Sequence, residues 1–328
     1  MTDTSSSIAL KPVRKRPPMF LWGAVGFIVL ICLLPMFAVL LAALTGGTET
    51  IRHLAQTVLS GYILTTIALV LMVSLGTFAI GVGAAWLVTM TRFPAVRIVE
   101  VLLVLPLAFP AYVLAYAYTH VLDHPGVVQT TLRDMTGWGP RDYWFPEIRS
   151  LGGAALMLVL VLYPYVYLLA RAAFLQQSGA TFLAARALGQ TAIGAFLRVS
   201  LPLARPAIAA GVLLAVMETI ADFGTVAYFG VQTFATGIYT SWFSMGDRAG
   251  AAQLALCLLT FALLLAVLER LQRGRAKYHE GARPTQPMDP ITLTGTTRWL
   301  ALAMCAFPVI LGALLPMIIL ASMSIGSQ

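Results

Sequence analysis

The chain has 328 residues, of which 59% are hydrophobic and only 10% charged, with a mean hydropathy of +0.86. A soluble domain carries roughly a quarter charged residues, so the solvent around most of this chain must be lipid, which excludes a soluble enzyme and a disordered tail. The 21 Lys and Arg against 13 Asp and Glu give a formal charge of +8, and only their placement along the chain decides whether that excess marks a nucleic-acid patch or a membrane topology.

Residues 1–18 form a polar, basic segment ahead of a long apolar run. A cleaved signal peptide has a shorter apolar core followed by small residues, so this reads as a retained first span behind a cytoplasmic tail. A spanning helix needs about 20 mostly apolar residues. Seven stretches qualify, at 19–44, 58–90, 98–120, 151–171, 207–230, 249–268 and 299–323. The second would be about 50 Å long as one helix, more than the hydrocarbon thickness, so it must tilt, bend or protrude, with Gly76, Gly81 and Gly83 as places to bend. Pro106, Pro110 and Pro164 are expected to kink the third and fourth spans.

Sixteen of the 21 basic residues fall on one side of this scheme: in the tail, after the second and fourth spans, and between the sixth and seventh. The other side has Arg52, Arg133, Arg141, Arg149 and Arg248 among several acids. The positive-inside rule therefore places the N-terminus in the cytoplasm and turns the excess charge into topology, with no nucleic acid implied. The sequence Leu-Leu-Pro-Met occurs at 33–36 and again at 314–317, each time within a span that follows a basic segment. We read 19–271 as one six-helix unit, 272–298 as a cytoplasmic linker and 299–328 as the first helix of a second, incomplete unit, the chain being a truncated form or fragment of a duplicated transporter.

Cys32, Cys257 and Cys305 lie in apolar runs and read as small hydrophobes. His120 and His124 are the only histidines at helical spacing, and Pro125 argues for a helix end there. No metal is expected. The sequence has no GxSxG, no HExxH and no GxxxxGK[ST], so neither a catalytic constellation nor an ATP site is expected. Glycine spacings such as Gly-Val-Gly-Ala-Ala-Trp suit close helix packing.

Between the fourth and fifth spans, Phe182, Ala185, Leu188, Ala192, Phe196 and Leu197 recur at helical spacing in an otherwise polar stretch, 176–206. Two short helices bent near Gly189 and stopped by Pro202 form a knob, or the segment simply lies on the membrane surface. Ala-Ala-Arg-Ala-Leu-Gly at 184–189, followed by Phe196 and the Leu201-Pro202 pair, resembles the cytoplasmic EAA loop of binding-protein-dependent ABC importer permeases. That resemblance implies an all-α polytopic fold, a multi-pass protein of the bacterial inner membrane, and a coupling loop carrying Ala184, Ala185, Gly189, Phe196, Leu201 and Pro202. It also implies partners: a dimeric ATPase subunit that binds the ATP, a periplasmic substrate-binding protein and a second permease half. Leu183 stands where the motif has its glutamate, so a polar contact to the ATPase is missing here. The stretch 217–243 is similar to the ferric-iron branch of the family, with thiamine, polyamine and sulfate branches as alternatives.

Glu218 and Asp222 are the carboxylates well inside a span. At i and i+4 they should share one helical face, roughly 18 and 24 Å along a helix that begins near Pro206. A charge facing lipid costs at least about 2.5 kcal/mol, so this face should meet protein or water. Either the two acids bond neighbouring helices, or they line a cation's path. Glu100, near the inner end of the third span, can reach interfacial water and needs no special role. An ion-coupled secondary transporter using Glu218 and Asp222 is the competing class; a carrier of that kind needs no knob. A polytopic membrane enzyme is a third class, without a nucleophile and base to support it.

Overall fold

The structure is a computed structural model that describes residues 19–140, 142–177, 179–273 and 290–326. The basic tail 1–18, Arg141 and most of the 272–298 linker lie outside the described residues. In hydrocarbon a backbone N–H or C=O has no water to bond, which is why the described chain is almost wholly helical. In order, α1 (Met19–Thr45) leads through the short α2 (Gly47–Thr57) to α3 (Leu59–Met90). Then come α4 (Val96–Leu102), a single 3-10 turn, α5 (Ala111–Leu122), α6 (Val127–Thr136) and α7 (Leu151–Gln176). The knob consists of α8 (Gly179–Ala187) and α9 (Ala192–Ala195), and a π turn at Phe196–Ser200 joins it to α10 (Leu201–Ala221). The chain continues through α11 (Gly224–Tyr228), α12 (Phe234–Tyr239), a π turn at Thr240–Ser244 and α13 (Arg248–Arg273), followed by α14 (Thr296–Val309) and α15 (Leu315–Gly326), joined by a third π turn at 310–314. Among the described residues six helices are long and apolar enough to span a membrane, or seven if the bent pair 96–108 and 111–136 is one span.

Several expectations change. The second span is unbroken: α3 is one helix of 32 residues. Its glycines serve packing instead. A Cβ on Gly76 would collide with the Val159 side chain, and one on Gly81 would lie 2.8 Å from Val166 Cβ and 2.9 Å from the Tyr163 carbonyl oxygen. These small residues let α3 and α7 share the most extensive helix contact in the chain. The third span is broken, with a 92° bend between its two pieces at Phe109 and Pro110. Pro164 leaves α7 unbroken. It supplies no N–H for the Leu160 carbonyl four residues back, and Gly312 lies against that carbonyl and the Pro106 ring, where a Cβ would be 2.9 Å and 3.0 Å away.

The last described helices, α14 and α15, are therefore seated against α5 and α7 in the body of the bundle. Ala301, Cys305 and Val309 are buried with Tyr163 and Tyr167 of α7, and the Tyr118 hydroxyl donates to the Leu311 carbonyl at 2.7 Å. The strands β1 (Thr91–Arg92) and β2 (Ile291–Thr292) pair in parallel, tying the end of the linker to the turn after α3. By contrast α1 is exposed along most of its length, Cys32 included, and packs chiefly on α13.

The close approach makes a clear prediction. Gly81→Val forces α3 away from α7 backbone atoms that cannot yield, and overpacking of this kind costs about 1–3 kcal/mol. Gly83→Ala enters open space and should be neutral. Thermal unfolding in detergent should show a lower midpoint for the first variant and an unchanged one for the second.

Candidate functional site

Two regions carry the residues singled out from the sequence. The first is the knob, on the side where the basic residues gather. Gly189 has φ +86°, a left-handed conformation that only glycine adopts cheaply, and it makes the turn between α8 and α9. Thr191 caps α9, its hydroxyl oxygen accepting from the Gly194 amide at 3.0 Å. Leu183, Leu188, Ile193 and Leu197 stand exposed, Leu188 at 84%, while Phe182 is buried. Ala184 is exposed and Ala185 half-buried.

Phe196 does not join that outer ridge. Its ring turns inward between Trp86 at the end of α3, with centroids 5.0 Å apart, and Phe174 near the end of α7, at 5.9 Å. The expected stop at Pro202 is also absent, since helix runs continuously from Ala192 to Ala221. The π turn at 196–200 resolves the conflict: the Leu201 amide bonds to the Phe196 carbonyl five residues back, and this local widening accommodates Pro202 within the continuous helix. Leu201 and Pro202 are half-buried at this junction, and the Gln177 side-chain amide donates to the Ser200 carbonyl at 2.9 Å. Beside it, Arg171 is ion-paired with Glu100, and the Tyr167 hydroxyl donates to the Glu100 carbonyl. Glu100 thus has a partner, 71 residues away, that local spacing does not reveal.

The second region lies toward the opposite side. Helix α10 ends at Ala221, and Asp222 takes an extended ψ of 119°, so Glu218 and Asp222 do not sit on one continuous helical face. The break occurs because Asp222 caps the next helix: one carboxylate oxygen accepts from the amides of Thr225 (2.9 Å) and Val226 (3.3 Å), the other from the Thr225 hydroxyl (3.0 Å). Glu218 is exposed and makes no hydrogen bond or ion pair among the described residues, with Tyr165 within electrostatic reach.

Beyond Asp222 the structure gathers aromatics that sequence reasoning missed. Phe223 stacks on Tyr239 at 4.5 Å, and Tyr239 on Phe243 at 4.7 Å. Tyr112 abuts Gly224, and Tyr116 meets Tyr228 edge-on at 6.3 Å. Tyr112, Tyr116, Tyr239 and Phe243 are all exposed. The i, i+4 spacing of Tyr112 and Tyr116 is the one local signal that could have found part of this wall. Among the described residues, no three His, Cys, Asp or Glu come together as a metal site. The wall is thus an open oxygen-bearing surface.

Residues 77–278 match the family described as binding-protein-dependent transport system inner membrane component. Among curated proteins the chain is 26% identical over 275 residues to an Fe(3+)-transport system permease protein FbpB 2 of Haemophilus influenzae, covering 83% of this chain and 50% of that protein. The chain thus spans about half the length of that relative. It is also 26% identical over 278 residues to a putative 2-aminoethylphosphonate transport system permease protein of Salmonella choleraesuis, covering 81% of this chain and 96% of that one. The molybdenum transport system permease protein of Escherichia coli is 28% identical over 209 residues, covering 60% and 87%. Among solved structures, a bacterial alginate ABC transporter in complex with alginate pentasaccharide-bound periplasmic protein has a chain similar at a TM-score of 0.64 and 17% identity, covering 79% of this chain and 96% of that one. That likeness supports the fold.

The aromatic seat makes the knob's attachment testable. Phe196→Ala removes a half-buried ring worth about 1 kcal/mol, so the population with the knob detached should rise about fivefold. Limited proteolysis within 179–195 should speed up by that factor, while Leu188→Ala, at an exposed site, leaves it unchanged.

Proposed function

The chain belongs to the family of binding-protein-dependent transport system inner membrane components, and from that membership we propose that it forms one wall of an ABC importer's substrate path and relays the action of a separate ATPase to it. No catalytic step is assigned to this chain. ATP is hydrolysed by a dimeric partner subunit on the cytoplasmic side, a periplasmic binding protein delivers the cargo, and a second permease half completes the pathway. The basic side of the bundle, with the knob, faces the cytoplasm.

The knob supports the coupling role. Its exposed side chains include Leu183, Leu188, Ile193 and Leu197, flanked by Arg186 and Arg198, so it suits an apolar groove with a polar rim on the ATPase. Phe196, seated between Trp86 and Phe174, connects that contact to α3 and α7 together. Leu201 and Pro202 continue it into α10, which carries Glu218 to the opposite side of the bundle.

For the cargo, the observation that carries the reading is Glu218, an exposed carboxylate on α10 that makes no hydrogen bond or ion pair among the described residues, whereas Arg149, which packs on Tyr228, is paired with Asp123. Hard cations are bound by oxygen ligands of this type, and a ferric ion moving past it would find a weak contact. An anionic phosphonate would meet a negative charge. The relative whose name carries Fe(3+) supports the same choice.

Two experiments follow, both in vesicles containing the complete transporter. Gly189→Ala forces a side chain into left-handed backbone at a cost of about 1 kcal/mol, more if the knob must reshape to dock. Pull-down should show ATPase capture weakened several-fold with membrane insertion unchanged, and capture equal to the parent's would return the knob to a plain connecting loop. Glu218→Gln keeps the size and removes the charge. Ferric uptake should fall about tenfold, corresponding to about 1.4 kcal/mol of lost cation stabilisation. Unchanged or faster uptake would exclude Glu218 from a cation path.

A further inference from the structure

The knob between α7 and α10 carries charge of one sign only. Residues 172–217 contain Arg186, Arg198 and Arg205 and no Asp or Glu. Arg186 and Arg198 are exposed, and among the described residues neither has a carboxylate partner. Gln190, beside the Gly189 turn, holds them both: Arg186 Nη1 donates to its backbone carbonyl at 2.9 Å, and Arg198 Nη1 to its side-chain oxygen at 3.0 Å. A guanidinium has five N–H donors, so each arginine keeps most of them for a partner while one shared residue fixes its position. Exposed Leu183, Leu188, Ile193 and Leu197 stand around the pair.

Height decides between anionic lipid and a cytosolic protein as the partner. Helix runs without a break from Ala192 to Ala221, and Arg205 is the last charge before the apolar stretch 206–217, so the hydrocarbon begins near it. Ala192 lies about 20 Å along the helix from Arg205, and an ordinary tilt of about 20° shortens that reach little. The headgroup layer is only about 5–8 Å deep, which leaves the Gly189 turn in water beyond the lipid phosphates. The cytosolic partner is the ATPase subunit, and the inference rests on the coupling role proposed above. A motif glutamate at 183, one helical turn before Arg186, would offer that partner an acceptor and would neutralise Arg186 along the helix. Leu183 does neither. Charged N–H donors without internal partners are matched best by carboxylates. We infer that the knob docks through Arg186 and Arg198 into an apolar ATPase groove rimmed by carboxylates, a contact opposite in charge to the one a motif glutamate would make.

The test measures ATPase capture by the complete permease in nanodiscs of phosphatidylcholine alone, which carry no anionic lipid. The parent's affinity should fall about tenfold between about 50 and 500 mM salt. Arg186→Gln combined with Arg198→Gln should weaken capture about fivefold at low salt and flatten the salt dependence. Arg186→Lys with Arg198→Lys, which keeps both charges, should retain most of the affinity and the salt slope. Leu183→Glu, which restores the motif, should weaken capture about fivefold, because its carboxylate pairs with Arg186 and faces the acidic rim. Tighter capture by Leu183→Glu, or a double Gln variant with the parent's affinity and salt slope, would overturn the acidic rim while Gly189→Ala still weakens capture. If Gly189→Ala also binds like the parent, the coupling role itself fails. An arginine effect that appears only when phosphatidylglycerol is added would overturn the assignment in favour of lipid.

Discussion

Hydrocarbon offers no hydrogen bonds, and every feature of this bundle depends on how the backbone meets that constraint. Where the helices are uninterrupted the requirement is met internally, and close packing holds them together. Glycine at 76, 81 and 312 brings helices near enough for backbone to touch side chain or carbonyl. Where a helix must break, a specific group takes over the freed positions. The Asp222 carboxylate does so at the end of α10, and the Tyr118 hydroxyl serves a carbonyl in the π turn of the last helix.

These interruptions also position the functional surfaces. The π turn at 196–200 lets α10 continue through Pro202 while turning Phe196 inward to the ends of α3 and α7. In the proposed coupling, movement of the knob would reach α3 and α7 at once, and α10 by direct continuity. At the far end of α10 Glu218 is exposed, and beyond the capped break Phe223, Tyr239 and Phe243 form an aromatic ladder. One rigid rod thus links the candidate coupling contact to the candidate path. The bundle's discrete helix contacts favour displacement of whole elements over gradual deformation.

The spans, the clustering of basic residues and the knob's helix-turn-helix shape were legible because each rests on local properties: apolar length, charge and a glycine at a left-handed turn. Contacts between distant segments were not. Gly76 and Gly81 looked like bends because their partners, Val159 and Val166, are more than 80 positions away. Helical spacing put Asp222 on the face of Glu218, yet a carboxylate can cap a new helix more favourably than it can extend the old one. Phe196 carried the periodicity of an outward ridge, and only the positions of Trp86 and Phe174 reveal that it turns inward. The aromatic wall, drawn from α5, α10, α12 and the segments between, is assembled by the fold alone.

The central claim is that ATP hydrolysis elsewhere drives a cation past Glu218. It is tested most directly by reconstituting the complete transporter with its binding protein and ATPase in sealed vesicles, and measuring ferric uptake with and without ATP while proton and sodium gradients are collapsed. The account predicts uptake that requires ATP and binding protein and is indifferent to the gradients. Uptake that follows an ion gradient without ATP would contradict it.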